Sequence, residues 1–326
     1  MNESAQLLLA VVFSGSAATA HAAQDSVGNY PIKPVRWVVG FAPGASNDVI
    51  ARTVGARLSV TWGQQFIIDN CTGAAGMIAG ELVARAVPDG YTLLLTTGGP
   101  NIIGPLLARK PVYRTQDFDY VAVAAYSPFI IIVTPSLAAK TIRELVDYMK
   151  ANPGKMNWGS AGVNSSPHVA LATFAHATGV RVNHVPYKGS ALAIIDVVSG
   201  QIDATSTTAA SAEVQIRSNR VRVIAVAGPK RVPAIPGVPT LAEEGIKDGD
   251  ALVWFGMAAP PGTPQAIVRK LNAGVNNALA NPDVQRRLTD LGMEIVGGSI
   301  EDTAKFMREE TSRIRDLIKA GVLKQE

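Results

Sequence analysis

Four histidines, one cysteine and one glycine-flanked serine are the side chains with the most telling chemistry in this 326-residue chain. The histidines are His21, His168, His176 and His184, and the single thiol is Cys71. His168 and His176 stand eight positions apart, so no HxxxH or HExxH spacing exists, and no metal site is expected. The nearest approach to a serine nucleophile is Trp158-Gly159-Ser160-Ala161-Gly162, which lacks the first glycine of G-x-S-x-G. His168 and Asp203 could in principle complete a triad, which their presence alone does not establish. Gly40 to Ser46 lacks the lysine of a phosphate-binding loop, and Gly73-Ala74-Ala75-Gly76 is only a fragment of a dinucleotide fingerprint. The expectation is a chain with no catalytic residue, no metal and no cofactor.

A different chemistry recurs. Val35 to Phe41 is a near-continuous apolar run that breaks at Pro43-Gly44, and a helical pattern starts near Ser46. A strand that feeds a glycine turn and then a helix brings free N–H groups and the positive dipole end to one point, which favours an anion. Taken alone, the same turn also fits any α/β domain. Small polar loops, however, follow strands three times: Pro43 to Asp48, Thr96 to Asn101, and Gly159 to Ser166. They offer backbone and hydroxyl donors without bulk, which suits capture of a carboxylate better than catalysis.

The elements that must position these loops alternate. Helical spacing places Val49, Ile50, Thr53, Val54 and Leu58 on one stretch, and Ile78, Leu82, Val83 and Ala86 on another. Phe66 to Ile68 and Tyr91 to Thr96 read as strands, so strand, loop and helix follow one another as in a mainly parallel sheet. Phe118 to Thr134 reads as two β-rich runs broken at Tyr126-Ser127-Pro128. A second α/β unit follows, with helices predicted over Thr141 to Ala151, Pro167 to Thr178 and Ala191 to Ser199. Four prolines between Pro229 and Pro239 mark a connector, and Leu252 to Ala258 is a strand that crosses back. Three amphipathic helices close the chain, over Pro264 to Leu279, Pro282 to Leu291 and Ile300 to Ile318.

Composition bounds the partners. The formal net charge is +4, the pI about 9.2, and there is no run of five like charges. With aromatics at only 6%, this falls short of a nucleic-acid footprint, and none is expected. Leu7 to Phe13 followed by Ala20-His21-Ala22-Ala23 resembles a secretory signal, although Glu3 stands where a cation is usual. The mature chain is expected to start near Gln24 and to reside in the periplasm.

Much of the mature chain resembles the periplasmic receptors of tripartite tricarboxylate transporters, also called the Bug family. The matching stretches are YPIKPVRWVVGFAPGASNDVIAR (Tyr30 to Arg52), GAAGMIAGELVARAVPDGYTLLL (Gly73 to Leu95), GSAGVNSSPHVA (Gly159 to Ala170), HVPYKG (His184 to Gly189), GQID (Gly200 to Asp203) and VPTLAEEG (Val238 to Gly245). The resemblance implies a two-domain α/β periplasmic binding protein of type II-like architecture. Each lobe would be a mixed, mainly parallel sheet flanked by helices, the two joined by two crossing segments. Residues 1–23 would be a signal peptide, 24–126 with 254–326 the first domain, and 127–253 the second. It also implies a monomer that captures a small organic acid and hands it to membrane permease subunits. By position, the ligand-binding candidates are Ser46, Asn47 and Asp48, Thr97 and Gly98, Ser160, Gly162, Ser165, His168 and Tyr187.

The chain departs from that pattern in places. Ala45 follows Gly44 where two glycines are common, and Cys71-Thr72-Gly73 replaces an Arg-Pro-Gly turn. Many relatives carry an aromatic residue and then an aspartate where this chain has Ser206 and Thr207. An aspartate in the cleft would attract an ammonium, whereas Thr207, a further ligand-binding candidate, can donate a hydrogen bond to an anionic or neutral end. Two other functions stay open at this point: a ligand-sensing subunit for a sensor kinase, and a secreted serine hydrolase using Ser160.

Overall fold

The computed structural model describes residues 29–323. The signal-peptide expectation and the start near Gln24 fall outside them. In chain order the strands and helices are β1 (Val35–Val39), α1 (Ser46–Trp62), β2 (Phe66–Asn70), α2 (Met77–Ala84), β3 (Thr92–Thr96), β4 (Asp119–Val133), α3 (Ile142–Ala151), β5 (Asn157–Ser160), α4 (Ser166–Thr178), β6 (Asn183–Pro186) and α5 (Ser190–Ser199). Then come β7 (Ala204–Thr207), α6 (Ala209–Arg217), β8 (Arg222–Ala227), β9 (Leu252–Ala259), α7 (Gln265–Leu279), α8 (Pro282–Asp290), β10 (Glu294–Ile295) and α9 (Ile300–Lys319). Short helical turns over Gly99–Ile103 and Gly104–Leu107 follow β3.

Two lobes repeat one plan. In the first, β2, β1 and β3 are parallel neighbours, and β9 and then β4 add antiparallel strands beside β3. In the second, β6, β5 and β7 are parallel neighbours, and β4 pairs antiparallel with β7. The apolar character of β1 follows from cover on both faces. Val35, Trp37 and Val39 pack in one core with Ile50, Val54 and Leu58 of α1, while Val38 joins Val83, Leu94 and Tyr113 on the other side.

Strand β4 belongs to both lobes. It runs unbroken through Tyr126-Ser127-Pro128, where two separate runs were expected. The reason lies in its changing neighbours. On its far edge β10 pairs Ala125 and Tyr126, and β7 takes over only from Ile130. Pro128 falls in the gap between them, so its missing N–H breaks no ladder there. On the other side β9 pairs β4 continuously from Asp119 to Pro128, so the two crossing segments form one hydrogen-bonded ribbon.

Candidate functional site

In each lobe the strand order reverses beside the first strand, between β1 and β3 and between β5 and β7. Ligands of open α/β sheets bind outside the carboxyl ends of strands at such switch points. Here the two switch points face each other. Between them lies a cavity of ≈ 30 Å³, walled by Phe41, Ser46, Asn47 and Thr97 of the first lobe. The second lobe contributes Ala161, Ser166, Pro167, Ser190, Thr208 and Ser211, and the crossing strands contribute Phe129 and Val253. No Asp, Glu, Lys or Arg lines it.

Four helices begin at this wall. Gly44, with φ +82°, makes the turn that aims α1 at it. Helices α1, α4 and α5 start after Ala45, Ser165 and Gly189, none of which gives a side-chain cap. Helix α6 is capped by Thr208, which accepts from the Ser211 N–H. Away from the cavity, Thr141, Asn281 and Ser299 cap α3, α8 and α9, while α2 and α7 also start without a side-chain cap. Uncapped first-turn N–H groups need partners, and with the dipole each helix end favours a negative charge by about 0.3–1 kcal/mol. Three such ends converge on one space. Among the buried side-chain atoms without a partner are Asn47 Oδ1 and Thr97 Oγ1, both on residues of the wall.

The sequence candidates separate into two groups. Ser46, Asn47 and Thr97 line the cavity. Gly98 lines a smaller neighbouring space. Thr207 sits at the end of β7 beside the lining residue Thr208, and its buried hydroxyl has no partner. The others are engaged in holding the loops. Asp48 Oδ2 accepts from the Gly44 N–H at 3.0 Å and from Arg52 Nε at 2.9 Å, while Oδ1 accepts from Asn70 Nδ2 at 3.0 Å. Burial raises its pKa, but the bonds from Arg52, Gly44 and Asn70 outweigh burial and hold the carboxyl below its usual range.

Ser160 Oγ lies 2.7 Å from His184 Nε2 and also accepts from the Gly162 N–H. The hydrolase reading names His168 and Asp203 as possible partners of Ser160. His168 Nδ1 accepts from the Asn164 N–H at 3.1 Å, its ring stacked on His184 at 4.2 Å, and Asp203 Oδ2 accepts from the Asn157 N–H. Ser160 is fully buried and is not among the residues that wall the cavity. Ser165 Oγ donates to the Gly162 carbonyl at 2.6 Å. Gly162, at φ +123°, brings the second lobe against the first: a Cβ there would stand 3.5 Å from Ala75 Cβ. Tyr187 donates to Asp196 Oδ2 at 2.6 Å, and burial with that bond pushes its phenol up to about 12.

Sequence reasoning missed Ser190, Thr208 and Ser211. Each follows the signal that marked the first loop, a strand followed by small residues and a helix start. Among the described residues no group of three or more His, Cys, Asp or Glu could hold a metal, and no helix is long and apolar enough to cross a membrane.

A family model described as tripartite tricarboxylate transporter family receptor matches residues 50–323. Three solved structures are similar over almost the whole chain. The periplasmic binding protein BugD is 34% identical, with a TM-score of 0.85, covering 91% of this chain and 100% of that one. A Rhodopseudomonas palustris protein with bound malate, MatC, is 33% identical, with a TM-score of 0.84, covering 89% and 100%. An R. palustris protein with adipate is 34% identical, with a TM-score of 0.86, covering 89% and 97%.

Proposed function

The chain belongs to the tripartite tricarboxylate transporter receptor family, and from that premise we propose that it captures a small organic carboxylate between its lobes and presents it to membrane permease subunits. The observation that carries this reading is the convergence of three uncapped helix N-termini on a cavity with no charged side chain in its wall. Charge on the ligand is then balanced by backbone N–H groups and dipoles. Similar proteins hold malate and adipate, both carboxylates.

Capture is a hinge motion in this account. Among the described residues, 29–126 and 254–323 move as one lobe and 127–253 as the other, bending where β4 and β9 pair at Tyr126–Pro128 and Leu252–Trp254. The lobes meet around the cavity, with a Cβ on Gly99 placed 3.3 Å from Ser165 Cα. The ligand completes the contact by occupying N–H groups that each lobe alone would leave to water. It leaves unchanged, with no bond made or broken, and the protein acts in the periplasm. A thermal-shift screen of mono-, di- and tricarboxylates against amines tests this, because a ligand that binds only the native state raises its melting temperature. The expected result is stabilisation by a carboxylate and none by amines. Stabilisation by amines alone contradicts it.

A further inference from the structure

A second small space, of ≈ 20 Å³, adjoins the first and shares Phe129 and Ser166 with it. Its other walls include Gly98, Val169 and Trp254. Trp254 is 3% exposed, and its indole N–H is a buried donor without a partner. An indole nitrogen can only donate, so the group waits for an acceptor. Phe306 holds the ring edge-on at 5.4 Å and 79°, which fixes the direction of the N–H.

Gly98 keeps room beside that donor. Its φ of −56° is ordinary helical backbone, so conformation does not demand glycine. A Cβ at Gly98 would stand 3.4 Å from Trp254 Nε1 and 3.3 Å from Ser166 Oγ. Any side chain would intrude on the place from which both groups are reached. The charged groups at the outer end of this space are Glu310 and Arg313, bound to each other through two hydrogen bonds of 2.7 Å. The pairing balances the Glu310 charge, which weakens its pull on an ammonium.

We propose that Trp254 is a specificity-determining residue, its Nε1–H receiving an oxygen at the far end of a ligand whose first carboxylate lies against the helix N-termini. The inference rests on the carboxylate reading of the first cavity. It names the ligand class as short carboxylates with a second acceptor, in particular α,ω-dicarboxylates, over monocarboxylates or ω-amino acids of equal length. A hydrogen bond to an ionised acceptor is the stronger kind, so the second carboxylate gains most.

Calorimetry on the mature protein tests the proposal with malonate, succinate, glutarate and adipate, each beside the monocarboxylate of the same carbon count. The wild type is expected to bind its best dicarboxylate at least about tenfold tighter than the matching monocarboxylate. Trp254→Phe removes the donor together with part of the buried ring volume, so the readout is its effect on one ligand type relative to the other. It should weaken the dicarboxylate about tenfold and the monocarboxylate less than twofold. Gly98→Ala, which leaves Trp254 intact, should weaken the dicarboxylate in the same selective way. Equal losses for both ligand types in both variants, or unchanged dicarboxylate affinity, would overturn the role given to Trp254 while the carboxylate reading stands. Absence of binding by every carboxylate overturns both.

Discussion

The Ser46 N–H donates to Ser211 Oγ at 2.9 Å, so the first residue of α1 in one lobe is tied to α6 in the other. The bond crosses the cleft at the cavity wall, where both residues lie. Ser211→Ala removes a bond that exists only when the lobes meet. Such a bond contributes about 0.5–1.5 kcal/mol, so affinity should fall roughly 2- to 10-fold, mainly through faster dissociation. Stopped-flow ligand release checks this, and an unchanged release rate contradicts the role of the bond in closure.

Arg287 and Glu213 also join the lobes, 3.3 Å apart, but the arginine side chain is half exposed. Exposed pairs contribute roughly 0–1 kcal/mol and are screened by salt. Arg287→Ala is therefore expected to change affinity less than about fivefold, with the difference vanishing near 1 M salt. A larger, salt-insensitive loss would mean that this pair, rather than the cavity wall, governs closure.

Asp48 holds the first loop through Gly44, Arg52 and Asn70. Asp48→Asn should cost about 1–3 kcal/mol of stability, read by urea unfolding. Because the folded pKa is depressed, the contribution is full above the unfolded value of about 3.9 and is lost as pH falls through the folded one. The stability gap between wild type and variant should thus narrow below about pH 4. A constant gap through that range contradicts the assignment.

Which parts of this were legible in sequence follows from how strongly each element announces itself. Helix α1 is marked by Pro43-Gly44 ahead of it and by Ile50, Val54 and Leu58 at helical spacing, so its start at Ser46 could be read directly. Strand β7 and helix α6, Ala204–Thr207 and Ala209–Arg217, are built largely of small and polar residues whose burial comes from tertiary packing. No hydrophobic period marks them, and the wall residues Thr208 and Ser211 were missed with them. The continuity of β4 through Pro128 depends on where β10 stops and β7 begins, which no local pattern records. Ser160 was legible as a candidate, but its partner His184 comes from the neighbouring strand β6 through register, with Ser160 opposite Pro186 and Trp158 opposite His184.

His168 gives a second pH dependence. Burial holds its imidazole below the ordinary value, and its Nδ1 accepts from the Asn164 N–H, so the folded form needs a neutral ring. Its contribution is present above the unfolded pKa of about 6.5 and lost as pH falls through the lower folded one. The melting temperature of the wild type should drop between pH 7 and 5 relative to His168→Gln. Parallel melting curves across that range contradict this.

The central claim is that a carboxylate is held by helix N-termini without a cationic side chain, and that Thr207 leaves no cleft aspartate to attract an amine. Calorimetry with the best carboxylate from the thermal-shift screen, its primary amide and its α-amino derivative measures this most directly. The account predicts that the amide binds roughly 5- to 150-fold weaker, since it lacks the charge that three helix ends favour by about 0.3–1 kcal/mol each, and that the amino derivative also binds more weakly than the parent acid. Equal affinity for acid and amide, or tighter binding of the amino derivative, would contradict it.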